Sequence, residues 1–314
     1  MKALWLSSLA AVCITLTTSC GNHRKSADWL TSDDVRIAVD ETFRPIIEEE
    51  LSVFGASYPE ASVKPVYCDE NEAIRLLVSD SLRIAVATRP LNSSEKKIVA
   101  SHSLSDRTDI VATDAIALIV NKQNRDSLIT MDEVRGIVTG KITRWEQLSH
   151  SSKKGSLKLV FDNSGSSTVR YMKDSLCLGD KFRGNLYAQG SNEAVLDMVK
   201  SDSSVIGVLG ANWLKDPKDP ALSSFDSLDV RVMWVSRFSA PNEIFRQPFQ
   251  YYIATGEYPL LRSVYVTTTD PRVTSMVKNF FFFLTGQRGQ LIICNSSQLL
   301  PHLPVQVKDV SMPE

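Results

Sequence analysis

Short apolar runs alternate with amphipathic segments along most of the 314 residues. The apolar runs have the length and side chains of strands: Val35–Asp40, Val63–Tyr67, Leu82–Ala87, Ala115–Val120, Leu157–Phe161, Val205–Leu209 and Val230–Val235. Helical periodicity or helix-start signals mark the segments Pro45–Phe54, Asn71–Ser79, Val134–Val138, Val169–Leu176, Asn192–Lys200, Val273–Leu284 and Gln287–Cys294. This alternation predicts an α/β protein with mostly parallel sheets and helices on both faces.

The N-terminus predicts export. Met1 and Lys2 form a minimal basic start, and Ala3–Leu16 is an apolar stretch of signal-peptide length, too short for a membrane span. The small residues before Cys20 resemble a bacterial lipoprotein signal. On that interpretation residues 1–19 are removed, Cys20 carries the lipid, and residues 20–27 are a tether. The alternative is an ordinary secretory signal with an incidental cysteine. Either form places the protein in the periplasm or cell envelope.

Composition excludes several classes of function. The 35 Lys and Arg residues nearly balance the 36 Asp and Glu residues, so nothing indicates a nucleic-acid partner or a broadly basic membrane surface. The cysteines beyond Cys20 are scattered and predict neither a disulfide framework nor a metal site. We expect no cofactor. The absence of a Walker-type loop means that any energy for transport comes from a partner ATPase.

A turn rich in small and hydroxyl residues joins the strand Leu157–Phe161 to the helix at Val169. It contains Asp162, Ser164, Gly165, Ser166, Ser167 and Thr168, and Arg170 follows in the helix. Free backbone N–H groups and the helix dipole suit such a turn to an anion, and hydroxyls add donors. An ordinary Asp or Ser N-cap is the alternative.

Two other strand ends have a similar design. Thr42 and Arg44 follow the first strand, and Thr88 and Arg89 follow the third. Ligands of open parallel sheets bind outside the carboxyl ends of strands, so these residues are candidates to meet at one anion. Asp40, Glu41 and Asp162 would repel an anion unless they pair with arginines or accept a proton from the ligand.

With these residues in view, the chain resembles the phosphate ABC-transporter substrate-binding protein family. The matching segments occur in family order: Ala87–Leu91 with Glu95, Thr113–Asn121, Ile137–Trp145, Asp162–Ser166, Val205–Val208 and Glu257–Arg262. The resemblance implies a type II periplasmic-binding-protein fold with two lobes and a hinge that the chain crosses twice. Residues 28–118 and 237–314 would form lobe one, and residues 119–236 lobe two.

The resemblance also implies a function. Inorganic phosphate, or a similar tetrahedral oxyanion, would be captured between the lobes and delivered to an ABC permease and its ATPase. Three positions depart from the family pattern: Val160 replaces a frequent arginine, Thr88 replaces an aspartate that reads the ligand's proton, and the first loop lacks glycine.

Two alternatives use the same sequence differently. A serine hydrolase would use Ser164 with His102 or His150, although the Gly-x-Ser-x-Gly motif is missing. A phosphate-sensing or surface lipoprotein would keep the binding fold without transport, with Phe280–Phe283 as a contact surface instead of a core helix. The expected protein is a binding protein and not an enzyme.

Overall fold

The structure, a computed structural model, describes residues 35–215 and 222–304. The predicted signal, Cys20 and the tether lie outside these residues. The strands are β1 (Val35–Asp40), β2 (Val63–Cys68), β3 (Ile84–Ala87), β4 (Arg107–Asn121), β5 (Leu128–Thr130), β6 (Lys158–Phe161), β7 (Leu186–Ala188), β8 (Val205–Gly210), β9 (Val230–Val232), β10 (Trp234–Ser236), β11 (Phe245–Arg246), β12 (Leu261–Thr268) and β13 (Leu300–Pro301). The α/β prediction is confirmed.

The helices occupy the intervening segments. They are α1 (Arg44–Ser57), α2 (Glu70–Val78), α3 (Ser93–Ser101), α4 (Met131–Val138), α5 (Ser167–Leu176), α6 (Asn192–Ser201), α7 (Gln250–Ala254), α8 (Met276–Thr285) and α9 (Gln287–Ser296). Short 3-10 turns at Glu41–Phe43, Trp145–Gln147 and Ala211–Trp213 complete the pattern. None of the helices in residues 35–215 and 222–304 has the length and apolar character needed to cross a bilayer.

One long mixed sheet runs through both lobes in the order β2-β1-β3-β12-β4-β8-β6-β7. Its two ends are parallel, as predicted: β1 pairs with β2 and β3, and β6 pairs with β7 and β8. The centre is antiparallel, because β12 runs against both β3 and β4, and β8 runs against β4. The chain leaves lobe one along β4 and returns along β12, so these strands must run in opposite directions.

Each lobe has its own apolar core. In lobe one, β1, β3 and β12 pack with α1, α8 and α9. In lobe two, β4, β6 and β8 pack with α4, α5 and α6. Residues Ile253, Tyr258 and Leu260 belong to the core of lobe two. We therefore propose that the chain returns to lobe one at Leu261, later than the predicted boundary at residue 237.

The helix beginnings that position the site follow from local sequence. The Ser166 hydroxyl accepts from the Val169 N–H and caps α5, while Asp69 caps α2 by accepting from the Glu72 N–H. Pro45 stands in the first turn of α1, where its missing N–H costs nothing. The two caps hold the ends of β2 and β6 next to helix N-termini.

The aromatic run in α8 is mostly core. Phe280, Phe281 and Phe283 are buried in α8, whereas Phe282 is half exposed. Trp145 is fully buried, and Trp234 is exposed at the start of β10.

One carboxyl group lies unpaired in the core of lobe one. The Glu50 side chain is buried among Phe43, Val264, Leu284 and other apolar residues, and neither of its oxygens has a hydrogen-bond partner among the described residues. Burial raises the pKa of Glu50 from its ordinary value of 4.5 to about 9. The folded protein therefore holds a proton here that the unfolded chain releases.

Glu50→Leu should stabilise the protein at alkaline pH. Wild-type stability should fall as pH rises from about 4.5 to about 9, because only the folded state keeps the Glu50 proton in that window. The variant should lack this slope and gain at least ~2 kcal/mol at pH 9. Urea unfolding at pH 5, 7 and 9 measures this difference. Glu60→Leu, at an exposed position, is the matched control, and an equal slope in wild type and Glu50→Leu would contradict the assignment.

Candidate functional site

The strand ends selected from the sequence meet between the lobes. The Thr42 and Ser167 hydroxyl oxygens lie 3.5 Å apart, although they are 125 residues apart in the chain. Gly165 lies against the start of α2, so that a Cβ at this position would come within 2.9 Å of Asp69 Cγ. The lobes are thus in direct contact at the Ser/Gly turn, and the cleft is closed.

A charged cluster joins the lobes at the end of β3. The Glu70 carboxylate accepts from the Thr88 N–H at 2.8 Å and from the Thr88 hydroxyl at 2.6 Å. From lobe two, Arg170 Nε donates to Glu70 at 2.5 Å, and Arg170 Nη2 donates to the Thr88 hydroxyl at 2.6 Å. The Arg170 guanidinium therefore reaches across the cleft to two groups of lobe one.

A second arginine lies deeper in the cleft. Arg262, only 7% exposed, donates from Nε to Asp114 at 2.9 Å and from Nη1 to the Ser167 hydroxyl at 2.9 Å. Its guanidinium also lies over the Phe43 ring at 5.4 Å. Burial raises the pKa of Asp114, while the adjacent Arg262 charge lowers it. Arg262 thus connects the central strand β12 with the N-terminus of α5.

The loop after β1, which contains Thr42, is held by residues that follow β8. The Thr42 carbonyl accepts from Asn212 Nδ2 at 2.8 Å and from Trp213 Nε1 at 2.7 Å. Gly210 permits this approach, because a Cβ there would lie 2.7 Å from the Thr42 methyl carbon. Thr42 is therefore fixed by lobe two even though it follows a strand of lobe one.

The Ser/Gly turn divides into a buried and an exposed part. Thr168 donates to Asp162 at 2.7 Å and lies 2.8 Å from the Ser166 hydroxyl, and all three side chains are buried. Ser164 is exposed, and Gly165 is partly exposed. The predicted residues Ser166 and Ser167 are thus inside the closed cleft, whereas Ser164 is at its edge.

Two predicted arginines do not join the cluster. Both ends of the Arg89 guanidinium donate to Glu95 at 2.8 Å, in the capping box that begins α3. Arg44 lies over the Tyr67 ring at 4.4 Å, with Glu41 at 3.6 Å. These nearby partners engage the two guanidinium groups locally.

Several buried acceptors in the cleft have no hydrogen-bond partner within residues 35–215 and 222–304. They are Asp40 Oδ2, Asn192 Oδ1 and Asn212 Oδ1. Burial and then the Glu70 charge raise the pKa of Asp40 to about 7, against the opposing effects of Arg262 and Ser167. The donors Arg262 Nη2 and Arg44 Nε also have no hydrogen-bond partner in these ranges, so the buried unpartnered atoms include both acceptors and donors.

Sequence reasoning missed four residues of the cluster: Glu70, Asp114, Asn212 and Arg262. Glu70 follows the end of β2, so the strand-end rule that selected Thr42 and Thr88 also applied to it. Asp114 and Arg262 stand within β4 and β12, where only their antiparallel pairing brings them together. That pairing has no local signal in the sequence.

The hydrolase alternative finds no geometric support. Within the described ranges, Ser164 makes no hydrogen bond to a histidine, and His150 Nε2 contacts Glu243 at 3.0 Å. In the same ranges no group of three His, Cys, Asp or Glu side chains is placed to hold a metal ion.

Known proteins with similar sequences and folds are binding proteins. The chain is 22% identical over 313 residues to the phosphate-binding protein PstS of Bacillus subtilis (strain 168), covering 97% of this chain and 95% of that one. An ABC-type phosphate transport receptor from Vibrio cholerae has a similar structure, with a TM-score of 0.61 and 19% identity, covering 85% of this chain and all of that one.

A third similar protein, from Clostridium perfringens, is described as a candidate phosphate ABC transporter substrate-binding protein with bound phosphate. Its TM-score is 0.68 at 20% identity, covering 86% of this chain and 99% of that one. The family model described as the PBP superfamily domain matches residues 25–288. Its match extends over both lobes and the closed cleft, and this protein therefore belongs to the PBP superfamily.

Proposed function

We propose that the protein binds inorganic phosphate between its lobes and delivers it to an ABC permease. The observation that carries this proposal is the cross-cleft contact of Arg170 with Thr88 and Glu70, because it places an arginine of one lobe beside a hydroxyl donor of the other, next to a carboxylate that orients it. The similarity to phosphate-binding proteins supports the choice of ligand.

The donors around the cleft suit a tetrahedral oxyanion. Arg170 and Arg262 supply positive charge, while Thr42, Thr88 and Ser167 supply hydroxyls. Charge-assisted hydrogen bonds to such a ligand contribute about 1.5–3 kcal/mol each. Of the residues selected from the sequence, we retain Thr42, Thr88, Ser166, Ser167 and Arg170 as candidate ligand contacts. Asp162, Ser164 and Gly165 would shape the turn, and we assign Arg44 and Arg89 to local pairing.

Closure would couple binding to a change of shape. Arg170 and Ser167 belong to lobe two, and Thr42 and Thr88 belong to lobe one, so a ligand reaches both sets only when the lobes are closed. A ligand that binds the closed form better shifts the population toward it. The permease and its ATPase would then recognise the closed, loaded form.

The unpartnered acceptors favour phosphate over sulfate. Asp40 Oδ2 needs a donor, and a phosphate that keeps a proton at neutral pH supplies one, whereas sulfate does not. In the family an aspartate reads the ligand's proton, and in this chain Thr88 stands at its position. Asp40 would perform that role instead. A pKa of about 7 allows the shared proton to reside on either the ligand or Asp40.

Arg170→Gln should weaken phosphate binding at least ~100-fold, since it removes two charge-assisted hydrogen bonds and leaves the fold of α5 unchanged. Isothermal titration calorimetry with phosphate measures the affinity. Arg75→Gln is the matched control, because Arg75 is exposed on α2 and pairs with Glu72. Unchanged affinity in Arg170→Gln, or an equal loss in Arg75→Gln, would remove Arg170 from the site.

Asp40→Asn should reduce the preference for phosphate over sulfate at least ~10-fold, because the amide N–H₂ offers a hydrogen to an unprotonated oxygen. In the wild type, phosphate affinity should fall as pH rises above about 7, where the shared proton is lost. The variant should show a flatter profile. Titrations with both anions between pH 6 and 9 test this, and an unaltered preference would exclude Asp40 as the discriminating acceptor.

We also propose that the mature protein begins at Cys20 and is anchored by lipid at the cell envelope. The apolar stretch Ala3–Leu16 and the small residues before Cys20 support this. Cys20→Ala should abolish incorporation of labelled fatty acid and move the protein from the membrane to the soluble fraction. Labelling that persists in the variant would show that Cys20 is not the modified residue.

A further inference from the structure

Glu70 is an unusual residue for an anion-binding cleft. It is the first residue of α2, its side chain is fully buried, and its hydrogen-bond partners are donors of Thr88 and Arg170. Burial raises the pKa of Glu70, but the hydrogen bonds from Arg170 and Thr88 outweigh burial and hold the pKa below its ordinary value. A negative charge therefore already occupies the cleft.

The partners of Glu70 are those that an oxyanion would seek. A backbone N–H and a hydroxyl come from Thr88, and two guanidinium nitrogens come from Arg170. The N-terminus of α2 adds the positive end of a helix dipole. The two carboxylate oxygens of Glu70 thus take donors that two oxygens of a tetrahedral anion would otherwise use.

We propose that Glu70 is a built-in competitor of the ligand, which holds Arg170 and Thr88 in the empty protein and releases them when an oxyanion binds. This inference rests on the proposed phosphate-binding function and adds a specificity-determining residue to it. A weak anion cannot displace a carboxylate that is already in place. Phosphate, with more charge and more acceptor oxygens, can compete for the same donors.

The contact also joins the lobes. Glu70 is attached to lobe one and Arg170 to lobe two, so their ion pair links the two sides of the cleft, and on this proposal it would hold the empty protein closed. The ion pair raises the population of the closed form, but it also occupies the donors of Arg170 and Thr88. Because phosphate must first release these donors, its apparent affinity is reduced. Removing the carboxylate charge should therefore both loosen the empty cleft and strengthen binding.

The test compares phosphate affinity in the wild type, Glu70→Gln and Glu72→Gln by calorimetry. Glu70→Gln should bind phosphate at least ~10-fold more tightly, the order of magnitude that one charge-assisted hydrogen bond represents. Glu72→Gln removes the same charge from the same helix, but Glu72 pairs with Arg75 at the surface, so its affinity should match the wild type. Equal or weaker binding by Glu70→Gln would overturn the inference.

Glu70→Asp is the second variant, in case the amide impairs folding. It keeps the charge but shortens the side chain by one methylene, which withdraws the carboxylate from Arg170. Without phosphate, small-angle scattering should show a larger radius of gyration for either Glu70 variant than for the wild type. A radius equal to that of the wild type would overturn the closing role.

The outcomes separate this inference from the proposed function. Phosphate binding by the wild type with no gain in either Glu70 variant would reject the competitor and leave the function standing. Phosphate binding by the Glu70 variants alone would show that the carboxylate blocks the site, and it would overturn phosphate capture as the function of the wild-type protein. Failure of every variant to bind phosphate would overturn the proposed function and the competitor role together.

Discussion

The ion pair between Asp114 and Arg262 is the constraint on which the cleft depends. The two residues are direct partners in the antiparallel register of β4 and β12, the strands that cross between the lobes. Removing one member of such a buried pair leaves an uncompensated charge that costs about 3–5 kcal/mol. Arg262, held by Asp114, also donates a hydrogen bond to Ser167 at the start of α5. The same guanidinium therefore positions the Ser/Gly turn relative to β4 and β12.

The closed cleft has more carboxyl groups than guanidinium groups. Around it, within residues 35–215 and 222–304, lie the carboxyl groups Asp40, Glu70, Asp114 and Asp162, against the guanidinium groups Arg170 and Arg262. Most donors are already paired, and the unpartnered atoms include acceptors. Under the proposed function, an anion would have to displace a carboxylate or bring a proton. Both routes favour a protonated, multiply charged oxyanion over a small halide or an unprotonated anion.

Local signals in the sequence were sufficient for most elements and for part of the site. The strand Ala115–Val120 is present as predicted, and the Ser166 cap, given as the alternative role of the Ser/Gly turn, is also present, because each depends on neighbouring residues. The strand-end rule selected Thr42, Thr88 and the Ser/Gly turn; the Thr42 hydroxyl lies near that of Ser167, and Thr88 contacts Glu70 and Arg170. The rule could not distinguish Arg170, which crosses the cleft, from Arg89. Arg89 instead forms an ion pair with Glu95, six residues away.

The remaining part of the site was out of reach for the same physical reason. Arg262 acquires its role from the register of β12 on β4, and Glu70 acquires its role from an arginine 100 residues later in the chain. In both cases the role of a charged residue can be recognised only when its partner is known. A carboxylate is ordinarily an argument against an anion site. Here the paired carboxylates hold the arginines in place, and under the proposed function they would restrict the ligands that can replace them, which would make the acidic residues part of the selectivity.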